Sequence, residues 1–147
     1  MHHPDEHLRL AHHRRALAEA PPQDAAGVVA RVLADPDRAM ASGAVGEYLD
    51  RRAAELLTGP GFPAWRRELA AAAAADDFAV RRLHEWALLR AVTLDEPWEA
   101  RQLLAASDWL QLRTAEGTSS TTALGVLAEG GRTRRIRAAA AARLRRL

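Results

Sequence analysis

The chain has 147 residues, with 21 Lys+Arg against 19 Asp+Glu and no cysteine. That length suits one domain or a short array and buries roughly two-thirds of the unfolded surface, so folding needs no staple. The absence of Cys excludes disulfides, Cys-ligated zinc, iron–sulfur clusters and thiol catalysis.

Alanine (34) and leucine (20) make up over a third of the chain, and every basic residue is Arg. Ala, Leu, Arg and Glu are the best helix formers, so composition predicts an all-α protein. An Ala- and Arg-rich chain is also what a GC-rich genome writes, which weakens the Arg bias as evidence for phosphate binding. Met1 to Arg15 is rich in His and Arg and lacks the apolar core of a signal peptide. The longest apolar run, Leu69 to Ala75, is too short to cross a bilayer. The expectation is a soluble, cytoplasmic protein with no membrane contact.

A first helix runs from Pro4 to about Glu19 and stops at Pro21–Pro22. A second spans about 24–34. Asp35–Pro36 then reads as a cap with Pro at the first helical position, opening a third helix that reaches about Leu57. Gly43 and Gly46 predict a kink or split in it. Gly59–Pro60–Gly61–Phe62–Pro63 is the strongest breaker, a corner or a hinge. A fourth helix is expected over about 64–75 and a fifth over 77–92. Thr93 and Glu96 have capping-box spacing ahead of a sixth helix at about 97–105. Ser107 caps a seventh that ends near Gly117. Ser119 or Ser120 caps an eighth that ends at Gly130–Gly131, and a ninth begins at Thr133. Residues 1–147 read as one domain: an N-terminal helix (1–20), a first hairpin (21–58) and further hairpins (59–147).

Alternate helices carry a repeat. Asp37-Arg38-Ala39-Met40-Ala41 aligns with Asp77-Phe78-Ala79-Val80-Arg81, with Trp109-Leu110-Gln111-Leu112-Arg113 and with Thr133-Arg134-Arg135-Ile136-Arg137. A large apolar residue takes the fourth place each time, and Arg follows it in three of the four. The pattern, Val80-Arg81 with Ala87-Leu88 and Ile136-Arg137 with Ala140 and Leu144, resembles the HEAT repeat family over about residues 24–146. Ala41 departs from it by replacing the Arg, and the third copy ends early at Gly117. The Ala-rich helix pairs also look like bacterial variant-repeat proteins. The resemblance implies a short right-handed α-α superhelix of about nine helices. It implies a non-catalytic scaffold or adaptor that binds another protein along a concave face carrying Arg38, Arg82, Glu85, Arg90, Glu116 and Arg134. In such arrays Arg81, Arg113 and Arg137 hold turn carbonyls or an Asp such as Asp76, Asp77 or Asp108.

Three other features bear on function. Residues 132–147 hold seven Arg (Arg132, Arg134, Arg135, Arg137, Arg143, Arg145 and Arg146) and no acid. They read either as a phosphate-contacting helix for nucleic acid or an acidic protein, or as the polar outer face of a terminal repeat. Trp65, Trp86, Trp98 and Trp109 fall one per helix; Trp65, His84, Trp86 and Trp98 are candidates for a ligand groove, with core packing as the plainer role. His2, His3, His7, His12 and His13 crowd the N-terminus, where His3 and His7 stand one turn apart. A solvated terminus explains them without a metal, so neither metal nor cofactor is expected. Gly117 to Thr122 reads as a capping loop rather than a phosphate cradle. There is no phosphate loop, no His-Glu-x-x-His and no nucleophile elbow.

Overall fold

The structure is a computed structural model that describes residues 4–147. It is 79% helix, with no strand and nine α-helices among the described residues. In chain order these are α1 (Pro4–Glu19), a 3-10 turn (Pro22–Asp24), α2 (Ala25–Leu33), α3 (Arg38–Leu56), α4 (Phe62–Ala72), α5 (Asp77–Thr93), α6 (Ala100–Ala105), α7 (Asp108–Gly117), α8 (Thr121–Gly130) and α9 (Arg134–Arg146). Local chemistry sets most starts. The side chains of Asp37, Ser107, Ser120 and Thr133 accept from the backbone N–H of Met40, Leu110, Ala123 and Ile136, at 3.1, 3.2, 3.1 and 3.1 Å. Each satisfies one orphan donor of a first turn.

The chain forms two compact units, Met1–Leu83 and His84–Leu147. In the first, α1 lies on α2 and α3, and α2 lies on α3 and α4. Its core is built by Leu17, Val28, Val29, Val32, Val45, Leu49, Leu69 and Leu83 with small residues such as Ala41, Ala44 and Ala79. In the second, α9 lies on α7 and α8, and α6 and α7 both touch α8. Its core gathers Val92, Leu103, Leu124, Leu127 and Ile136 around Ala115, Ala123 and Ala140.

Two expectations about helix ends and breaks are corrected. Helix α3 runs through Gly43 and Gly46 without splitting. Gly46 is there for space, because a Cβ at that position would stand 3.0 Å from the Phe78 ring. Thr93 to Glu96 does not open a helix. Thr93 ends α5 and returns its hydroxyl to Leu89 O at 2.7 Å. Asp95 then takes a left-handed conformation (φ 55°), and Glu96 N–H reaches Ala91 O at 2.9 Å. That is a Schellman closure with Asp where Gly is usual. Helix α6 starts later, where the Gln102 side chain accepts from Glu99 N–H at 2.8 Å.

The caps also reset the register of the internal alignment. Counting from Asp37, Asp76, Ser107 and Thr133, the third residue is Met40, Ala79, Leu110 or Ile136, and the seventh is Ala44, Leu83, Thr114 or Ala140. All are buried except the half-buried Met40. Val80 and Leu112, which take the fourth place of the repeat in the sequence, are 37% exposed and half-buried respectively. The second and third copies therefore slip by one and two residues relative to the alignment read from the sequence.

Candidate functional site

Of the six residues expected on a concave face, three are tied down within their own unit. Arg82 makes a fork onto Asp50, with Nε and Nη2 at 2.9 and 3.1 Å from its two oxygens, and its guanidinium lies 5.3 Å from the Phe78 ring centre. Glu85 accepts from both the backbone N–H and the hydroxyl of Ser107, at 2.6 and 2.7 Å, and so holds the residue that caps α7. Arg90 is 14% exposed and stands 3.7 Å from Glu96. Arg38, Glu116 and Arg134 are exposed.

The tryptophans serve packing. Trp86 is completely buried; Trp109 meets it edge-on at 5.4 Å, and the Arg113 guanidinium lies over its ring at 4.6 Å. Trp98 packs on the second core. Trp65 packs on the first, 5.8 Å from Phe62, with its indole N–H buried and without a hydrogen-bond partner. His84 is exposed. A ring sealed as Trp86 is cannot line a groove.

Among the histidines, His2 and His3 lie outside the described residues. His7 and His12 are exposed. His13 joins α1 to the α2–α3 turn through Nε2, 2.9 Å from Asp35 Oδ2. Asp35 also accepts from Asp37 N–H at 2.9 Å, and Arg9 approaches at 3.4 Å. The hydrogen bond with His13, then that from Asp37, hold the Asp35 carboxyl below its ordinary range against the opposing effect of burial. The next residue, Arg14, grips Glu47 of α3 with Nε and Nη2 at 3.0 and 2.8 Å. This bond lowers the Glu47 carboxyl and raises the Arg14 guanidinium. The pair borders a shallow groove of about 410 Å³ between α1 and α3, floored by Leu10, Met40 and Ala44. Among the described residues no group of three His, Asp or Glu is placed to hold a metal ion.

The seven arginines of 132–147 divide into two sets. Arg132 pairs with Asp108 at 2.8 Å, Arg137 donates to Gly131 O at 2.8 Å, and Arg143 donates to Thr118 O and Gly117 O. These three close turns inside the second unit. Arg134, Arg135, Arg145 and Arg146 are exposed and have no hydrogen-bond, ion-pair or ring partner among the described residues. The expected arginine ladder reduces to one rung. Arg137 holds a turn carbonyl, Arg113 lies on an indole, and Arg81 is exposed without a partner among the described residues.

One structural residue escaped the reading of the sequence. Gln111 is fully buried, and its amide donates to Leu103 O and Leu104 O at 2.8 and 3.1 Å while its oxygen accepts from Arg132 N–H at 2.8 Å. Two carbonyls on one side and one N–H on the other fix the amide's orientation. A polar residue four past the Ser107 cap, where the core register runs, was the available signal.

No family model matches the chain, and no curated protein or solved structure is significantly similar to it.

Proposed function

We propose that the protein is a non-catalytic α-helical repeat module, HEAT-like in layout, that works in the cytoplasm as a scaffold or adaptor for another protein. The observation that supports this reading is the stacking of alternate helices: α2 on α4 in the first unit, and α6 on α8 and α7 on α9 in the second. Stacked pairs of this kind give extended binding surfaces in solenoid proteins. Arg38, Glu116 and Arg134 are exposed and remain available to a partner, whereas Arg82, Glu85 and Arg90 have intramolecular duties. No described helix is long and apolar enough to cross a membrane.

The test is affinity capture of the tagged full chain from its native cell after brief crosslinking. The expected result is one partner enriched over a scrambled-bait control and lost from an Arg38→Ala/Glu116→Ala/Arg134→Ala variant of unchanged helicity. Recovery of no partner above control ends the adaptor reading.

A further inference from the structure

The arginines on the exposed side of α9 support an inference that goes beyond the adaptor reading and does not rest on it. At about 100° per residue, Arg134 and Arg145 lie within about 20° of each other around the helix axis, and so do Arg135 and Arg146. The two pairs stand about 100° apart, and each pair is drawn out over about 16.5 Å along the axis. Ala138 and Ala142 fill the strip between them. The four guanidiniums thus form two rails on one open arc. The buried seam of Ile136 and Ala140 lies on the opposite side. The committed arginines, Arg137 and Arg143, flank that seam, so the division into bonded and unbonded sets is also a division between faces. No acid occurs in 132–147 to neutralise the rails.

We propose that this face binds the phosphate backbone of duplex nucleic acid without reading its sequence. A duplex presents one negative charge per about 1.7 Å of its axis, so the length of the rails meets about ten phosphates. The groove between the strands is about 12 Å wide and admits a helix. The rails diverge as they leave the axis, which suits contact with the two walls of such a groove. An acidic protein is the weaker fit. Protein interfaces centre on aromatic and large apolar residues and shed charge from their middle, and this arc offers only Arg and Ala. A lipid surface is weaker still, because no large apolar side chain within the arc is available to insert. With no aromatic on the arc for base stacking, single strands gain nothing over the duplex.

The test is fluorescence anisotropy with the full chain and two labelled duplexes of about 20 bp and unrelated sequence. Four phosphate contacts predict a slope of log K against log[salt] of about −3.6, which is about a 150-fold loss of affinity between 50 and 200 mM salt. Arg134→Ala with Arg145→Ala should halve the slope and cut that loss to about 12-fold. Alanine is the best helix former, so α9 persists in these variants, and circular dichroism checks it. The two duplexes should bind alike. A slope shallower than about −1, or one unchanged when all four arginines are alanine, overturns the proposal. So does tighter binding to polyglutamate, which assigns the face to an acidic protein, or to phosphatidylserine vesicles, which assigns it to a lipid surface.

Discussion

Replacing Gln111 with methionine keeps the length and nearly the volume of the side chain but removes one acceptor and two donor hydrogens. Three hydrogen bonds go. They are unequal. Leu103 O still accepts from Ala106 N–H at 3.2 Å, so its loss is the net value of an ordinary bond, about 0.5–1 kcal/mol. Leu104 is partly exposed, and water recovers most of what its carbonyl loses. Arg132 N–H has no second acceptor among the described residues and costs about 1–3 kcal/mol if left unmet, toward the lower end as far as water reaches this exposed residue. The methionine returns part of this through apolar burial, which leaves a net destabilisation of about 1–3 kcal/mol and a thermal midpoint lower by roughly 3–10 °C. Urea titration should be followed by tryptophan fluorescence, since Trp86, Trp98 and Trp109 report the second unit and Trp65 the first. Amide exchange at Arg132 should accelerate along with the loss. Gln111→Glu keeps an acceptor for Arg132 but sets a carboxylate against two carbonyls, and should cost at least as much. A Gln111→Met variant within about 0.5 kcal/mol of wild type, or one whose Arg132 amide stays protected, refutes the reasoning.

Three further outcomes follow from single sites. Gly131→Ala should destabilise by about 1–3 kcal/mol, because the added Cβ would meet Leu127 O and Ile136 Cγ2, each at 2.7 Å; Gly130→Ala, whose Cβ meets only the flexible end of Leu104, should cost far less in the same thermal melts. Asp95→Gly should stabilise by about 0.5–1 kcal/mol by relieving the left-handed backbone at the end of α5; no gain in urea midpoint would contradict the closure described there. Asp35 and Glu47 sit below their ordinary values of 3.8 and 4.5 in the fold, so their contribution is present above those values and is lost as pH falls through the lower folded ones. Protection of the α1 amides, measured relative to intrinsic exchange at each pH, should therefore fall below about pH 4, and Asp35→Asn should flatten that dependence; α1 amides equally protected at pH 5 and pH 3 would argue against the clasp.

Features set by neighbours in the chain were legible beforehand. Prolines stop α1, and side-chain oxygens at Asp37, Ser107, Ser120 and Thr133 start four helices, because a cap needs only residues three apart. The all-helical class follows from Ala, Leu, Arg and Glu. Features decided across space were not legible. Thr93-Leu94-Asp95-Glu96 has the letters of a capping box, yet the hydroxyl of Thr93 turned back to Leu89 O and the turn closed the preceding helix. Val80 is large and apolar and reads as core, while Ala79, one residue before it, holds the buried position. Glu85 and Arg82 looked like surface charges and are bonded, one to the Ser107 cap and the other to Asp50. Gln111 was aligned as a filler between two leucines, and its three partners lie seven, eight and 21 residues away.

The arginines of α9 sharpen that distinction into an argument about separability. Only Ile136 and Ala140 of this helix are fully buried, and alanine contributes little area. Guanidinium bonds therefore carry much of its attachment. Arg137 fastens its first turn to Gly131 O, and Arg143 fastens its far end to the turn after α7 through Thr118 O and Gly117 O. A guanidinium that satisfies partly buried carbonyls at a helix junction stabilises more than an exposed ion pair does, by up to about 1.5–3 against 0–1 kcal/mol. Arg137→Ala and Arg143→Ala should thus lower stability and leave the outer face intact. Arg134→Ala and Arg145→Ala should do the reverse. The bonded set flanks the buried seam and Arg134 and Arg145 lie on the open arc, so neither substitution removes the other's partners; apart from the like-charge repulsion between Arg134 and Arg137, one turn apart, their effects should add within about 0.5 kcal/mol in a combined variant. Strong coupling between them would mean that the outer arginines also hold the fold, and would leave the helix without a face free for phosphate.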